Sequence, residues 1–383
     1  MPDTLIAYLK KYSNTSFLEY PMNDVDSLAL CQLSYLKFDG LVPDIWANQS
    51  SVTLRSIREQ KAYESLFADS RYERDNKALF HAMAEGKRFG NMKLNCFIDI
   101  IEKEWETQFS AITFLLENRI TYIAYRGTDE NIIGWKEDFN MAYLNPVPGQ
   151  ALSVKYLNMV ASKIRTSLYI GGHSKGGNLA VYAAMNCLPE IQGRILQVYS
   201  MDGPGFRKEI MDSVAYRRIA DRIIKILPQS SMVGMLFEND EHYQVVESKT
   251  FGLAQHNPYT WKIKNGDFIR VNGLYQGRKF MDLTFNEWVL SLDEVQLRTF
   301  VDTLYTVISA SHAEDLISFT AQWKQSMIGM IAALKEIDEE TKQMLRQIIS
   351  SLFELTRVNM KKEISMITKK PIRRNKEDSR RRD

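Results

Sequence analysis

Only three of the 383 residues are cysteine. Cys31, Cys96 and Cys187 are odd in number, far apart and without the paired spacing of a zinc site. That excludes a disulfide scaffold and a cysteine-ligated metal centre, and reads as buried or idle thiols in a reducing compartment. Long apolar runs are missing as well: no stretch approaches the roughly 20 residues a membrane-spanning helix needs. The opening Met1-Pro2-Asp3-Thr4-Leu5-Ile6 lacks the basic start and apolar core of a secretion signal. Nor is there a strong excess of one charge, the formal net value being +2. The balance is uneven, however. Lys361 to Asp383 carries ten Lys/Arg against four Asp/Glu, which is +6 and leaves −4 for the rest of the chain. A mildly acidic body argues against a nucleic-acid-binding fold as the main purpose. The expectation is a soluble, cytoplasmic protein with no metal, no cofactor and no nucleic-acid partner.

What is present is enough apolar material, 45% of residues, to bury a full α/β core with further elements besides. Asp24 to Leu36 has apolar residues at mixed helical spacing and predicts an amphipathic opening helix. A polar, mostly helical region follows through Tyr72 to Gly86. Three strands are predicted next, Lys93 to Ile101, Phe109 to Leu116 and Ile120 to Tyr125, the last two separated by the turn-like Glu117-Asn118. Ala151 to Arg165 reads as a helix, Leu168 to Ile170 as a strand, Arg194 to Met201 and Ile223 to Leu227 as two more, with a helix in the Phe206 to Ala220 region between them. Strands alternating with helices imply a mainly parallel sheet covered on both faces. Beyond about Leu283 the pattern is helical: Met344, Ile348, Leu352 and Leu355 fall at i, i+4, i+8 and i+11, an amphipathic stripe. The basic end, with Lys369-Lys370-Pro371-Ile372-Arg373-Arg374 and Arg380-Arg381-Arg382, is expected to be disordered.

The most informative stretch is Gly172-His173-Ser174-Lys175-Gly176. It follows the apolar run Leu168-Tyr169-Ile170 and precedes Gly177-Asn178-Leu179-Ala180-Val181-Tyr182, rich in small residues. This is the G-x-S-x-G nucleophile elbow in the strand–turn–helix setting it requires. A serine on so sharp a turn is strained, and glycines at 172 and 176 remove clashes with the flanking strand and helix. The following helix points its unpaired N–H groups at negative charge developing beside Ser174.

A serine is a poor nucleophile until a base takes its proton, so Ser174 needs a histidine oriented by a carboxylate. The chain order Ser, acid, His removes His81, and His173 is read as leaving the elbow sideways. His256 ranks first because Asn257-Pro258 marks a loop, where catalytic groups usually lie. His242, in the acidic stretch from Glu238 to Glu241, ranks second, and His312, among C-terminal helices, third. For the acid, Asp202 ends the strand Ile195 to Met201 and opens Asp202-Gly203-Pro204-Gly205, at the edge where α/β ligands bind. A plain turn former is its competing reading. The oxyanion hole takes the N–H of Lys175 and one from Tyr125-Arg126-Gly127-Thr128-Asp129, where Thr128 is the better candidate. Arg126 equally suits a structural clamp on a carboxylate such as Asp138.

These residues resemble known blocks. Tyr125-Arg126-Gly127-Thr128, then Trp135 and Asp138, then Gly172 to Gly177, look like class 3 lipases. The closer resemblance is to an uncharacterised bacterial family of lipase-like hydrolases. It shares Asp24-Val25-Asp26-Ser27-Leu28 with Gln32-Leu33-Ser34-Tyr35, then Asp202-Gly203-Pro204-Gly205-Phe206 and Gln255-His256-Asn257-Pro258-Tyr259-Thr260-Trp261. The resemblance implies an α/β-hydrolase fold and a triad of Ser174, Asp202 and His256. Two departures stand out. Lys175 replaces the leucine that usually follows the nucleophile, suggesting a cation at the site mouth. The usual class 3 acid position, Leu227-Pro228-Gln229-Ser230-Ser231, holds no carboxylate.

The expected plan is therefore α/β. An α/β-hydrolase domain spans 1–282, with a mainly parallel central sheet and a helical N-terminal insert at about 40–90. A helical C-terminal extension covers 283–360 and a basic tail 361–383. The expected activity is carboxylic ester hydrolysis through an acyl-serine intermediate, on a small-molecule ester or lipid substrate. One competing reading is a catalytically silent hydrolase-fold binding module. Another puts function in the C-terminal helices and basic tail, as a peripheral contact with an anionic membrane. A helical cap with a solubilising tail explains the same residues and is preferred.

Overall fold

The computed structural model describes residues 3–275 except 48, 69–71, 103, 118, 130–131 and 238–241, together with 284, 286–289, 291–309, 337–348, 350–351 and 354. The strands are β1 (Val52–Thr53), β2 (Lys93–Glu102), β3 (Thr107–Leu115), β4 (Ile120–Tyr125), β5 (Ser167–His173), β6 (Ile195–Met201), β7 (Ile223–Pro228), β8 (Tyr243–Val246), β9 (Ile263–Lys264), β10 (Asp267–Phe268) and β11 (Arg270–Val271). Among the described residues, nine of them form one sheet in the order β1-β2-β3-β4-β5-β6-β7-β8-β11, and β9 pairs with β10 separately. β4 to β8 are mutually parallel, whereas β2, β3 and β4 form an antiparallel meander. β1 and β11 close the two edges antiparallel. This is an α/β-hydrolase fold, with the mainly parallel sheet that the alternation of strands and helices implied.

Period-2 alternation in β4 separates two cores. Tyr122 and Ala124 face a layer of α1 (Leu5–Tyr12), α2 (Asp24–Leu33) and α3 (Glu73–Glu85). Ile123 and Tyr125 face α6 (Pro148–Lys163) and α7 (Lys175–Asn186). The short α4 (Lys87–Gly90) follows α3, and α5 (Ile132–Asn140) follows β4.

α2 differs from its expected form. It ends at Leu33 and is buried on every side from Val25 onward, so it is a core helix and not an amphipathic one. Its start is fixed by a capping box in which Asn23 Oδ1 accepts from Val25 N and Asp26 N, while Asp26 Oδ2 accepts from Asn23 N. Burying Asp26 is compensated by Arg88, whose Nε donates at 2.9 Å, and by the Tyr8 hydroxyl at 2.9 Å. Ser27 reaches the sheet through the Tyr122 hydroxyl at 2.6 Å.

Other boundaries also move. α6 begins earlier than expected, with Pro148 in its first turn, where a missing N–H costs nothing. β5 runs on through both glycines to His173, and the Phe206 to Ala220 helix is two short pieces, Lys208–Met211 and Val214–Arg217. The 40–90 stretch is not one helical insert: β1 joins the sheet edge and two 3₁₀ turns, Arg55–Glu59 and Tyr63–Phe67, precede α3. In the C-terminal part, the helix Glu294–Ser309 meets α5, with Lys136 paired to Asp302 at 2.9 Å. Ile348 of the expected stripe is buried with Trp288, and Met344 packs beside them. Leu352, Leu355, the 282/283 boundary and the 361–383 tail lie outside the described residues. Among the described residues no helix is long and apolar enough to cross a membrane.

Candidate active site

The elbow forms where β5 hands over to α7. Ser174 sits at φ 58°, ψ −134°, a backbone conformation that strains a residue with a Cβ by about 1–3 kcal/mol. Two glycines make the turn possible by close approach. A Cβ on Gly172 would lie 2.2 Å from the Gly176 carbonyl carbon, and one on Gly176 would lie 2.1 Å from the Tyr125 carbonyl oxygen. The Ser174 N–H donates to Met201 O at 2.9 Å, tying the turn to the end of β6.

The next residue after Met201 is Asp202, fully buried and also at positive φ, 50°. Its N–H donates to Ile226 O at 2.8 Å, which holds the carboxylate above β7. Asp202 Oδ2 meets His256 Nδ1 at 2.6 Å. A carboxylate can only accept, so Nδ1 carries the hydrogen and Nε2 is left as the acceptor nitrogen. The other carboxylate oxygen accepts from the Ser231 hydroxyl. Ser231 thus stands in the segment where the usual acid is missing, and sequence reasoning did not find its role. Nearby, burial pushes the Lys225 ammonium down to about 7, against the pull of Asp202.

His256 ends the 3₁₀ turn Gly252–His256, and its neighbours in the sequence block explain how the turn is held. Gln255 accepts from Ser230 N at 2.7 Å and donates to Thr250 O at 2.7 Å. Trp261 Nε1 donates to the Gln255 carbonyl at 2.8 Å, Asn257 caps Tyr259 N, and the Tyr259 hydroxyl reaches Asn76 of α3 at 2.6 Å. His173 does not simply leave the elbow sideways. Its Nε2 donates to His256 O at 2.9 Å, and its Nδ1 meets the Tyr35 hydroxyl at 3.1 Å. The two imidazoles lie with centroids 4.5 Å apart. His173 and Tyr35 are therefore spacers between the Ser174 turn and the His256 loop.

The loop after β4 runs against the same turn: a Cβ on Gly127 would lie 3.1 Å from Ser174 Cβ. Thr128 follows it, with its hydroxyl donating to Asp138 Oδ2 at 2.6 Å. Burial pushes the Asp138 carboxyl up to about 6, with Lys175 pulling the other way. Arg126 clamps Asp99, not Asp138, in a fork of 2.8 and 2.7 Å. Lys175 also corrects its expectation. Its N–H is in the first turn of α7, where helical donors have no intrahelical partner. Its side chain, 1% exposed, turns inward to Glu137 Oε2 at 2.7 Å and Gln108 O at 2.9 Å. No cation stands at the mouth from this residue.

The remaining histidines are elsewhere. His242 is exposed just before β8, and His81 of α3 bonds the Tyr63 hydroxyl at 3.0 Å. His312, Glu238 and Asp240 lie outside the described residues, as does the side chain of Trp135. A cleft of about 50 Å³ opens on Thr128, His173 and His256. No group of His, Cys, Asp or Glu that could hold a metal occurs among the described residues.

A family model described as Mbeg1-like matches residues 83–306. The chain belongs to the Mbeg1-like family. This is a lipase-like family, in keeping with the resemblance carried by the sequence blocks. No curated protein matches the chain. Among solved structures the Mbeg1-like chain is similar to Lip2 lipase from Yarrowia lipolytica, at 13% identity and a TM-score of 0.33, over 51% of this chain and 77% of that one. It is similar also to a mutant form of MDLA from Penicillium cyclopium, at 12% identity and a TM-score of 0.37, over 68% and 90%. The Mbeg1-like match begins inside α3, so Gln32 and Tyr35 stand outside it.

Proposed function

We propose that this protein is a serine hydrolase that cleaves carboxylic esters through an acyl-serine intermediate. The observation that carries the reading is the 2.6 Å contact between the buried Asp202 carboxylate and His256 Nδ1, together with a serine on a positive-φ turn whose N–H bonds the residue before Asp202. Ser174 Oγ attacks the ester carbonyl while His256 Nε2 takes its proton. Asp202 holds the imidazole in the needed tautomer and balances the imidazolium that forms. The Thr128 and Lys175 N–H groups receive the oxyanion, each such donor being worth about 10²–10³ in rate. His256 returns the proton to the departing alcohol, and water then repeats the sequence on the acyl-serine.

The test is a panel of p-nitrophenyl esters from acetate upward, run with wild type and Ser174→Ala, alongside labelling by a fluorophosphonate probe. Wild type should label and turn over, and Ser174→Ala should do neither while keeping its circular dichroism spectrum. Turnover retained in Ser174→Ala removes the nucleophile assignment. A folded wild type that neither labels nor turns over makes the chain a silent binding module.

A further inference from the structure

We propose that the cleft beside His256 selects compact esters carrying a neutral acceptor oxygen, which Gln32 Nε2 and Arg126 Nε hold; this rests on the ester-hydrolase reading above. The composition of the wall is the first reason. Gln32, Tyr35, Lys37, Tyr72, Asn76 and Arg126 line it with Thr128 and His256, and among the described residues no aliphatic side chain does. A site for a long acyl chain is lined mainly by apolar side chains, with a few polar groups for orientation. Here every described side chain lining the cleft carries a polar group, and the cleft is small, about 50 Å³.

The second reason is a pair of orphaned donors. Gln32 and Arg126 are each 3% exposed, yet Gln32 Nε2 and Arg126 Nε have no hydrogen-bond partner among the described residues. Buried N–H groups are almost always paired, and two unpaired ones on side chains that line the same cleft point to a missing acceptor. Both are rigidly placed. Gln32 lies in the last turn of the buried α2, and Arg126 is held by its fork on Asp99. The charge of that guanidinium is answered by Asp99 and, at 3.5 Å, by Asp129. The acceptor it suits is therefore a hydroxyl or carbonyl oxygen and not a second carboxylate.

The test uses the full chain as Ser174→Ala, so that esters bind without turning over. Methyl 3-hydroxybutyrate is compared with methyl isovalerate, which replaces the hydroxyl by a methyl group, in a titration followed by ligand-observed NMR. The hydroxy ester should bind about tenfold tighter, as a hydrogen bond to a charged or buried donor warrants. Adding Gln32→Met, close in size and without a donor, should abolish most of that preference. Equal binding of the two esters overturns the proposal, as does a preference that survives Gln32→Met. Should Gln32→Met not fold, the comparison of the two esters decides alone. Turnover by wild type separates the two claims: a binding preference without turnover of either ester fails only the hydrolase reading, and turnover of both without a preference fails only this one.

Discussion

Replacing Lys175 by leucine restores the residue that usually follows the nucleophile in the lipases this sequence resembles, yet it should destabilise the protein. The ammonium donates to Glu137 Oε2 and Gln108 O, and the Glu137 side chain is fully buried. Removing one partner of a buried pair costs about 3–5 kcal/mol, because the other charge stays behind. In Lys175→Leu that remaining charge keeps two backbone donors, Gly149 N at 2.6 Å and Gln108 N at 3.0 Å. Those bonds put the loss near the lower end, about 3 kcal/mol. Glu137→Gln should cost more, about 5 kcal/mol, since it leaves the ammonium only Asp138, at 4.0 Å, as counter-charge and turns one amide end towards a backbone donor. The double variant removes both charges of the pair, so its loss should fall short of the sum of the single losses by about 2–3 kcal/mol. Urea unfolding followed by tryptophan fluorescence, with all four proteins at neutral pH, gives the cycle. Single losses below about 1 kcal/mol that simply add would refute the reasoning and return Lys175 to the solvent-facing mouth.

Three further outcomes are expected. His256→Ala should lower kcat/KM by several orders of magnitude and Asp202→Asn by about 10⁴, while His242→Ala stays within a few-fold; steady-state ester hydrolysis checks all three, and a large loss in His242→Ala would move the base to the loop before β8. Gly172→Ala should fail to yield folded protein, because its Cβ would meet the backbone of Gly176 at 2.2 Å, and a soluble, cooperatively melting variant would contradict the packing. Asp138 has a carboxyl raised by burial from 3.8 to about 6, so folding disfavours its charged form. Its contribution to stability is therefore highest below the lower value, declines as pH rises through that window and is flat above it. Asp138→Asn keeps an acceptor for Thr128 and cannot ionise, so its stability relative to wild type should climb between those pH values; a difference that does not change with pH would count against it.

The parts of the site that were legible in the sequence are those whose cause is local. The elbow needs its glycines within two residues of Ser174, and Asp202 follows directly from the end of a strand. Asn257-Pro258 marks the histidine loop by backbone chemistry alone. What was not legible depends on partners far along the chain. The direction of the Lys175 side chain is set by Glu137, 38 residues earlier on α5, a helix the apolar spacing did not announce. Arg126 takes Asp99 from β2, and no spacing distinguishes that carboxylate from Asp138. α2 reads as amphipathic because Asp26, Ser27 and Gln32 are polar, whereas the fold buries each against a specific neighbour or the cleft. β8 and β11, four and two residues long, are too short for periodicity to register.

The two open letters of the elbow motif are not open in this chain. The first, His173, props the loop that carries His256, and the second, Lys175, anchors a helix start to α5 and β3. With the glycines fixed by backbone approach and the serine by the chemistry proposed for it, all five positions are spoken for. A saturation library across them would come back nearly empty, and its losses would look alike in an activity screen while arising from collapse, misplacement and lost chemistry in turn. Diversity for changing what this protein accepts has to be sought on the surrounding walls, because the turn itself has no slack to give.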